Sequence, residues 1–237
     1  MNKKSGLECD RYEMVNIPYT VIIWDAWKAV TRVSIYLALG DSITAGYGVG
    51  SLFSFPTVYG NYLRRHNLGL NVHNLGVNGL TTLGLLELLQ YNRSLRHLIS
   101  RASLITITIG SNDLLHYLRN SNQSINTFQF PMILGNMGKT LDQAGEVIRR
   151  LNPKAIVKVA TLYNPMPVGP YAQYNERVQG VIDAANAIVI AWAKRYGFVV
   201  VNLGRALRGK ERYLIGPDYM HPNAAGYRVI AKAFARY

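Results

Sequence analysis

Val33-Ser34-Ile35-Tyr36-Leu37-Ala38-Leu39-Gly40-Asp41-Ser42 runs from apolar residues into a glycine and then into two polar residues. A short apolar run bounded by glycine reads as a buried strand. Gly40 leaves room for a tight turn, and Ser42 then stands where the chain enters its next element. The same punctuation recurs at Leu104–Ile109, which ends at Gly110-Ser111-Asn112-Asp113. Further apolar runs lie at Leu70–Leu75, Ala155–Thr161 and Phe198–Leu203. Helical periodicity marks Val58–Asn67, Leu80–Leu89, Leu95–Arg101, Gly138–Leu151, Gln173–Tyr196 and Asn223–Ala235. Strands separated by helices imply a parallel sheet covered on both faces. The expectation is a three-layer α/β/α, flavodoxin-like domain with a sheet of about five strands.

Outward from this core, the pattern divides the chain into a domain over residues 31–237 and an N-terminal extension over 1–30. Ile17–Val33 carries Trp24 and Trp27 among aliphatics, a composition open to a packed extension or an amphipathic helix on a membrane surface. Lys3 and Lys4 are followed by Glu8, Asp10, Arg11 and Glu13 before any apolar segment, and Asp25 halts the run Val21–Trp24. That is not the layout of a signal peptide, and the expected address is cytoplasmic by default. No apolar run is long enough for a spanning helix. Arg119–Gln129 is polar and without periodicity, which suits a loop or lid.

The hydrophobic fraction of 49% against 16% charged can build a sizeable core, which excludes wholesale disorder. The formal net charge of +13 favours anionic partners, including an anionic membrane surface. Its Lys and Arg residues are scattered rather than clustered, so nucleic-acid binding is not expected. Cys9 is the only cysteine, which rules out an internal disulfide. His66, His73, His97 and His116 lack partners at metal-ligand spacing, so neither a metal nor another cofactor is expected. Two glycine-rich stretches fail as nucleotide sites. Gly46-Tyr47-Gly48-Val49-Gly50 is followed by Ser51 where a dinucleotide fingerprint needs glycine, and Ile133 stands where a phosphate loop ending at Lys139-Thr140 needs its first.

In open α/β sheets, ligands bind beyond the carboxyl ends of the strands. The residues found there form an acyl-transfer set. Ser42 follows the first strand as a candidate nucleophile. Asn112 follows the third, where its amide can donate to an oxyanion. His221 lies between the fifth strand and the last helix as a candidate base, and Asp218, three residues earlier, can orient its imidazole. The order Ser, Asp, His is that of α/β-hydrolases, but the chain has no Gly-x-Ser-x-Gly elbow.

Gly40-Asp41-Ser42-Ile43, Asn78-Gly79-Leu80-Thr81, Gly110-Ser111-Asn112-Asp113 and Asp218-Tyr219-Met220-His221-Pro222 resemble the conserved blocks of the SGNH hydrolases, the GDSL lipase/esterase family. Ile43 replaces the usual Leu of the first block. The resemblance runs from about Ile35 to the C-terminus and leaves residues 1–30 uncovered. It implies a serine-dependent carboxylic ester hydrolase that forms an acyl-enzyme on Ser42, with an oxyanion hole made by Ser42, Gly79 and Asn112. Gly79 is the better match for the oxyanion glycine, and Gly76 is the alternative. Tyr47, Phe53, Phe55, Tyr163 and Met166 are the candidates for an apolar acyl pocket. Such walls favour lipid or lysophospholipid-like esters. A carbohydrate O-deacetylase with the same triad is the alternative. Behind it stand a catalytically silent protein and a membrane-binding module. Oligomeric state is not legible.

Overall fold

The computed structural model describes residues 35–120, 130–170 and 172–236. The N-terminal extension and positions 121–129 of the expected lid lie outside these residues. Five parallel strands form one sheet in the order β2-β1-β3-β4-β5. They are β1 (Ile35–Gly40), β2 (Asn71–Gly76), β3 (Leu104–Thr108), β4 (Ile156–Ala160) and β5 (Val199–Val201). This is the doubly wound, flavodoxin-like order, whose switch point lies between β1 and β3.

Alternation in β1 divides the core. Leu37 and Leu39 join Leu85, Ile99, Ile105 and Leu141 on one face of the sheet. Tyr36 and Ala38 join Phe55, Tyr59 and Phe234 on the other. The first face is covered by α3 (Thr82–Tyr91), α4 (Arg93–Arg101), α6 (Phe130–Leu151) and α7 (Asn175–Arg195). The second is covered by α2 (Phe55–Arg64), α8 (Leu203–Leu207), α9 (Glu211–Leu214) and α10 (Ala224–Ala235). Two further helices start at the strand ends, α1 (Ser42–Ala45) after β1 and α5 (Ser111–Asn120) shortly after β3.

Several boundaries differ from the sequence reading, among them α2, which runs Phe55–Arg64 instead of Val58–Asn67, and two bear on the site. Helix α6 starts at Phe130 rather than Gly138. Pro131 falls in its first turn, where a missing N–H costs nothing, so the proline opens the helix instead of excluding it. The other difference is α5, which begins directly at Ser111, so Asn112 sits in a helix rather than in a turn.

Lys158 lies mid-strand in β4 and is buried. Its Nζ donates to Tyr59 Oη and to the Phe234 carbonyl at the end of α10, each at 2.9 Å. Burial pushes its pKa down to about 8. Between that value and the ordinary 10.5, the unfolded chain holds a proton that the folded chain has lost, so this group makes stability rise with pH. Comparing denaturant midpoints of wild type and Lys158→Met from pH 7 to 10 tests this. The wild type should gain about 2 kcal/mol on the variant over that range. A difference that stays flat with pH would refute the assignment.

Candidate active site

The position of Ser42, the candidate nucleophile, follows from a close approach of two strands. Gly40 adopts φ 140°, and a Cβ there would lie 2.1 Å from the Thr108 carbonyl oxygen. That same carbonyl accepts the Asp41 N–H at 3.0 Å. The Asp41 carboxylate then caps α1, accepting from the Ile43 N–H at 3.0 Å and from Thr108 Oγ1 at 2.8 Å. Asp41 is buried, and desolvation pushes its pKa up to about 6 against the pull of those hydrogen bonds. Ser42 is thereby fixed as the first residue of α1. Its backbone N–H has no acceptor among the described residues.

Ser42 Oγ lies 2.9 Å from His221 Nε2, and His221 Nδ1 lies 2.6 Å from Asp218 Oδ2. Asp218 Oδ1 also accepts the backbone N–H groups of Met220 at 3.1 Å and His221 at 3.0 Å. Partial burial pushes the Asp218 carboxyl up. The His221 ring and the two backbone donors outweigh that effect and hold it below the ordinary carboxylate value. The Asp218–His221 segment therefore folds around its own carboxylate, and Tyr219 between them takes the left-handed φ of 57°.

A half-buried Tyr163 and a buried Tyr227 anchor the loops that carry the pair. Tyr163 Oη donates to the Met220 carbonyl at 2.7 Å, and Tyr227 Oη donates to the Tyr47 carbonyl at 3.1 Å. The Tyr47 ring lies on the His221 imidazole, centroid to centroid 4.4 Å.

Asn112 Nδ2 donates one proton to the Leu80 carbonyl at 3.0 Å and so ties the turn containing Gly79 to α5. Asp113 braces the same region, accepting the Thr82 N–H and hydroxyl at the start of α3. The two candidate oxyanion glycines differ sharply. The Gly76 N–H is spent on Asn74 Oδ1 at 3.0 Å, and a Cβ at Gly76 would lie 2.2 Å from the Ala45 nitrogen. Gly79 has φ 79°, and its N–H has no acceptor among the described residues.

Next to Ser42, Asn112 and His221 opens an apolar pocket of about 120 Å³. Its walls come from Leu114 and Leu115 on α5, from Leu162, Tyr163 and Met166 after β4, and from Val178, Val181 and Ile182 on α7. Of the five pocket residues expected from sequence, Tyr163 and Met166 line it. The other three do not. Phe55 is buried behind the sheet, stacked on Phe234 at 4.7 Å, because its position in α2 faces the core. Phe53 is exposed in a 3₁₀ turn, and Tyr47 covers His221 instead of lining the cavity. The α5 and α7 walls were missed because apolar residues at helical spacing look the same facing a pocket as facing a core.

The GDSL-like lipase/acylhydrolase family model matches residues 38–229. The chain belongs to this family of hydrolases. A spore germination lipase, LipC, of Bacillus licheniformis is 25% identical to it over 210 residues, covering 83% of this chain and 92% of the relative. Among solved structures, a lipase from a goat rumen metagenome aligns with a TM-score of 0.68 at 24% identity, covering 85% of this chain and 96% of the other. An acetyl-xylooligosaccharide esterase of Geobacillus aligns with a TM-score of 0.65 at 20% identity, covering 85% and 92%. At those identities the two structures bear on the fold alone. No helix among the described residues of this GDSL-like chain is long and apolar enough to cross a membrane.

If Asp218 acts by holding the His221 tautomer, Asp218→Asn should keep the fold but present an amide N–H to Nδ1. The turnover number on 4-nitrophenyl butyrate should then fall by about 10³- to 10⁴-fold, with an unchanged circular dichroism spectrum. A loss under about fivefold would remove Asp218 from this role.

Proposed function

We propose that the protein is a serine-dependent carboxylic ester hydrolase that acts through an acyl-enzyme on Ser42. The observation that carries this reading is the continuous contact from Ser42 Oγ through His221 to Asp218, set at the edge of an apolar pocket. His221 Nε2 takes the Ser42 proton as Oγ bonds to the ester carbonyl. The oxyanion is received by the N–H groups of Ser42 and Gly79 and by the second Asn112 amide proton. The free state of the Gly79 N–H, against the spent Gly76 N–H, supports this choice of glycine. Each such donor lowers the barrier by about 3–4 kcal/mol. His221 then returns the proton to the departing alcohol oxygen as the carbon–oxygen bond breaks. Water, deprotonated by the same nitrogen, releases the acid and restores Ser42.

The pocket suits the hydrocarbon part of an acyl group, because Leu114, Leu115, Met166, Val178 and Val181 line it. It is open on one side, so a longer acyl chain can extend out of it.

The second reading, a carbohydrate O-deacetylase, has an observation of its own. A cleft of about 650 Å³ shares Leu162, Tyr163 and Ile182 with the apolar pocket, and Asn164, Asn175, Gln179 and Asn186 line it. Asn164 and Asn186 are engaged with Asn175, Gln179 and the Leu162 backbone, so the Asn175 amide protons and one of Gln179 remain to meet a hydroxyl-rich ligand. The acetyl-xylooligosaccharide esterase on the same fold acts on a substrate of this class.

Hydrolysis of 4-nitrophenyl esters from acetyl to palmitoyl separates these readings. With an apolar acyl pocket, kcat/KM should rise at least about tenfold from acetyl to hexanoyl. Ser42→Ala and His221→Ala should each lose about 10⁵-fold or more. An acetyl-only profile accompanied by release of acetate from acetylated xylo-oligosaccharides would favour the deacetylase. Absence of turnover on every ester, with no labelling of Ser42 by a fluorophosphonate, would discard both.

A further inference from the structure

We infer that the substrate carries an anion close to its scissile ester, and that Arg177 recognises it. The inference rests on the reading of Ser42 as the nucleophile and deepens it by naming the substrate's charge.

The α7 wall of the apolar pocket is one helical face, Arg177, Val178, Val181 and Ile182. Burial falls along it from Ile182, which is buried, through the half-buried valines to the exposed Arg177. Arg177 thus stands at the outer lip, while Ser42, Asn112 and His221 lie on the nucleophile's side of the same cavity. Apart from His221 and the buried Asp41, it is the one titratable side chain among the otherwise neutral groups lining the pocket that carries a formal charge at pH 7.

No carboxylate among the described residues pairs with this cation. Glu176 precedes it in the chain, but adjacent residues on a helix do not face each other. Arg177 lies in the first turn of α7, which Glu176 shares, and a positive charge in a first helical turn is unfavourable. A cation at the lip of an apolar pocket is matched by an oxyanion on the substrate. Guanidinium matches carboxylate and phosphate geometry in two parallel hydrogen bonds. The net charge of +13 adds a long-range field that draws anionic esters toward the molecule.

The place of Arg177 sets the reach. With the acyl group against the valines of α7, an anion at the lip belongs either to the far end of an acyl chain or to the alcohol held at the mouth. The shared chemistry is a carboxylate or phosphate a few bonds from the ester, and substrate pairs distinguish the two sources.

On the acyl side, the mono-4-nitrophenyl ester of adipic acid is compared with 4-nitrophenyl hexanoate. On the alcohol side, 1-butyrylglycerol 3-phosphate is compared with 1-butyrylglycerol. For each pair the readout is the ratio of kcat/KM, anionic over neutral, in wild type, Arg177→Gln and Arg177→Lys. In at least one pair the wild-type ratio should exceed one and fall about tenfold in Arg177→Gln. Arg177→Lys should restore part of it, and added salt should lower the wild-type ratio toward that of Arg177→Gln. The responding pair identifies which side of the ester bears the anion. Ratios at or below one in both pairs, or ratios that the substitution leaves unchanged, would overturn the inference. Failure of the underlying reading looks different, because Ser42→Ala would then leave hydrolysis of the neutral esters intact.

Discussion

The site depends on one contact between β1 and β3, the approach of Gly40 to the Thr108 carbonyl. Any side chain at position 40 would occupy the space through which Asp41 reaches that carbonyl with its N–H. Once this hydrogen bond forms, the Asp41 carboxyl turns inward, meets the Thr108 hydroxyl and caps the four-residue α1. A helix that short has little stability of its own. Its hold comes from the sheet, and Ser42 inherits the sheet's rigidity. The second side of α1 is fixed by Gly76, where β2 runs so close that a Cβ would collide with Ala45.

Two carboxylates near the nucleophile are driven in opposite directions by their surroundings. Asp41 is fully enclosed, and desolvation raises its pKa to about 6. Asp218 is partly exposed and accepts three hydrogen bonds, which hold its pKa low. A carboxylate that must stabilise an imidazolium has to stay ionised while its neighbour gains charge. Asp218 has that environment and Asp41 does not. Under the proposed mechanism, the division of labour between the two follows from solvent access and donor count.

What the sequence made legible was local. Gly40-Asp41-Ser42, Gly110-Ser111-Asn112 and Asp218–Pro222 each carry their signal in neighbouring residues, because turns, caps and a three-residue carboxylate–imidazole loop are short-range constructions. Strand order also followed, since apolar runs of strand length separated by helices leave few parallel topologies. The pocket was not legible in the same way. Phe55 reads as an aromatic near the nucleophile, but ten residues of α2 turn it behind the sheet onto Phe234. Val178, Val181 and Ile182 read as core, and only the placement of α7 leaves part of that face open. Arg177 carried no signal at all, because an isolated arginine in a basic chain is ordinary until its missing partner is seen. The tyrosine anchors were equally hidden, joining residues 57 apart for Tyr163 with Met220 and 180 apart for Tyr227 with Tyr47.

This division has a consequence for how such a chain acquires its substrate. Ser42 and Asn112 sit just after strands, and Asp218 and His221 sit in the loop before α10, braced by backbone hydrogen bonds. The pocket instead is walled by α5, α7 and the Leu162–Met166 segment, whose side chains touch it through single faces. Replacing Val181 or Arg177 alters volume or charge without touching the Gly40–Thr108 contact or the Asp218 loop. Tyr163 is the exception, since it lines the pocket and also holds the Met220 carbonyl beside His221. Position 163 therefore couples the shape of the cavity to the placement of His221, while positions 177, 178 and 181 can vary the pocket without disturbing that contact.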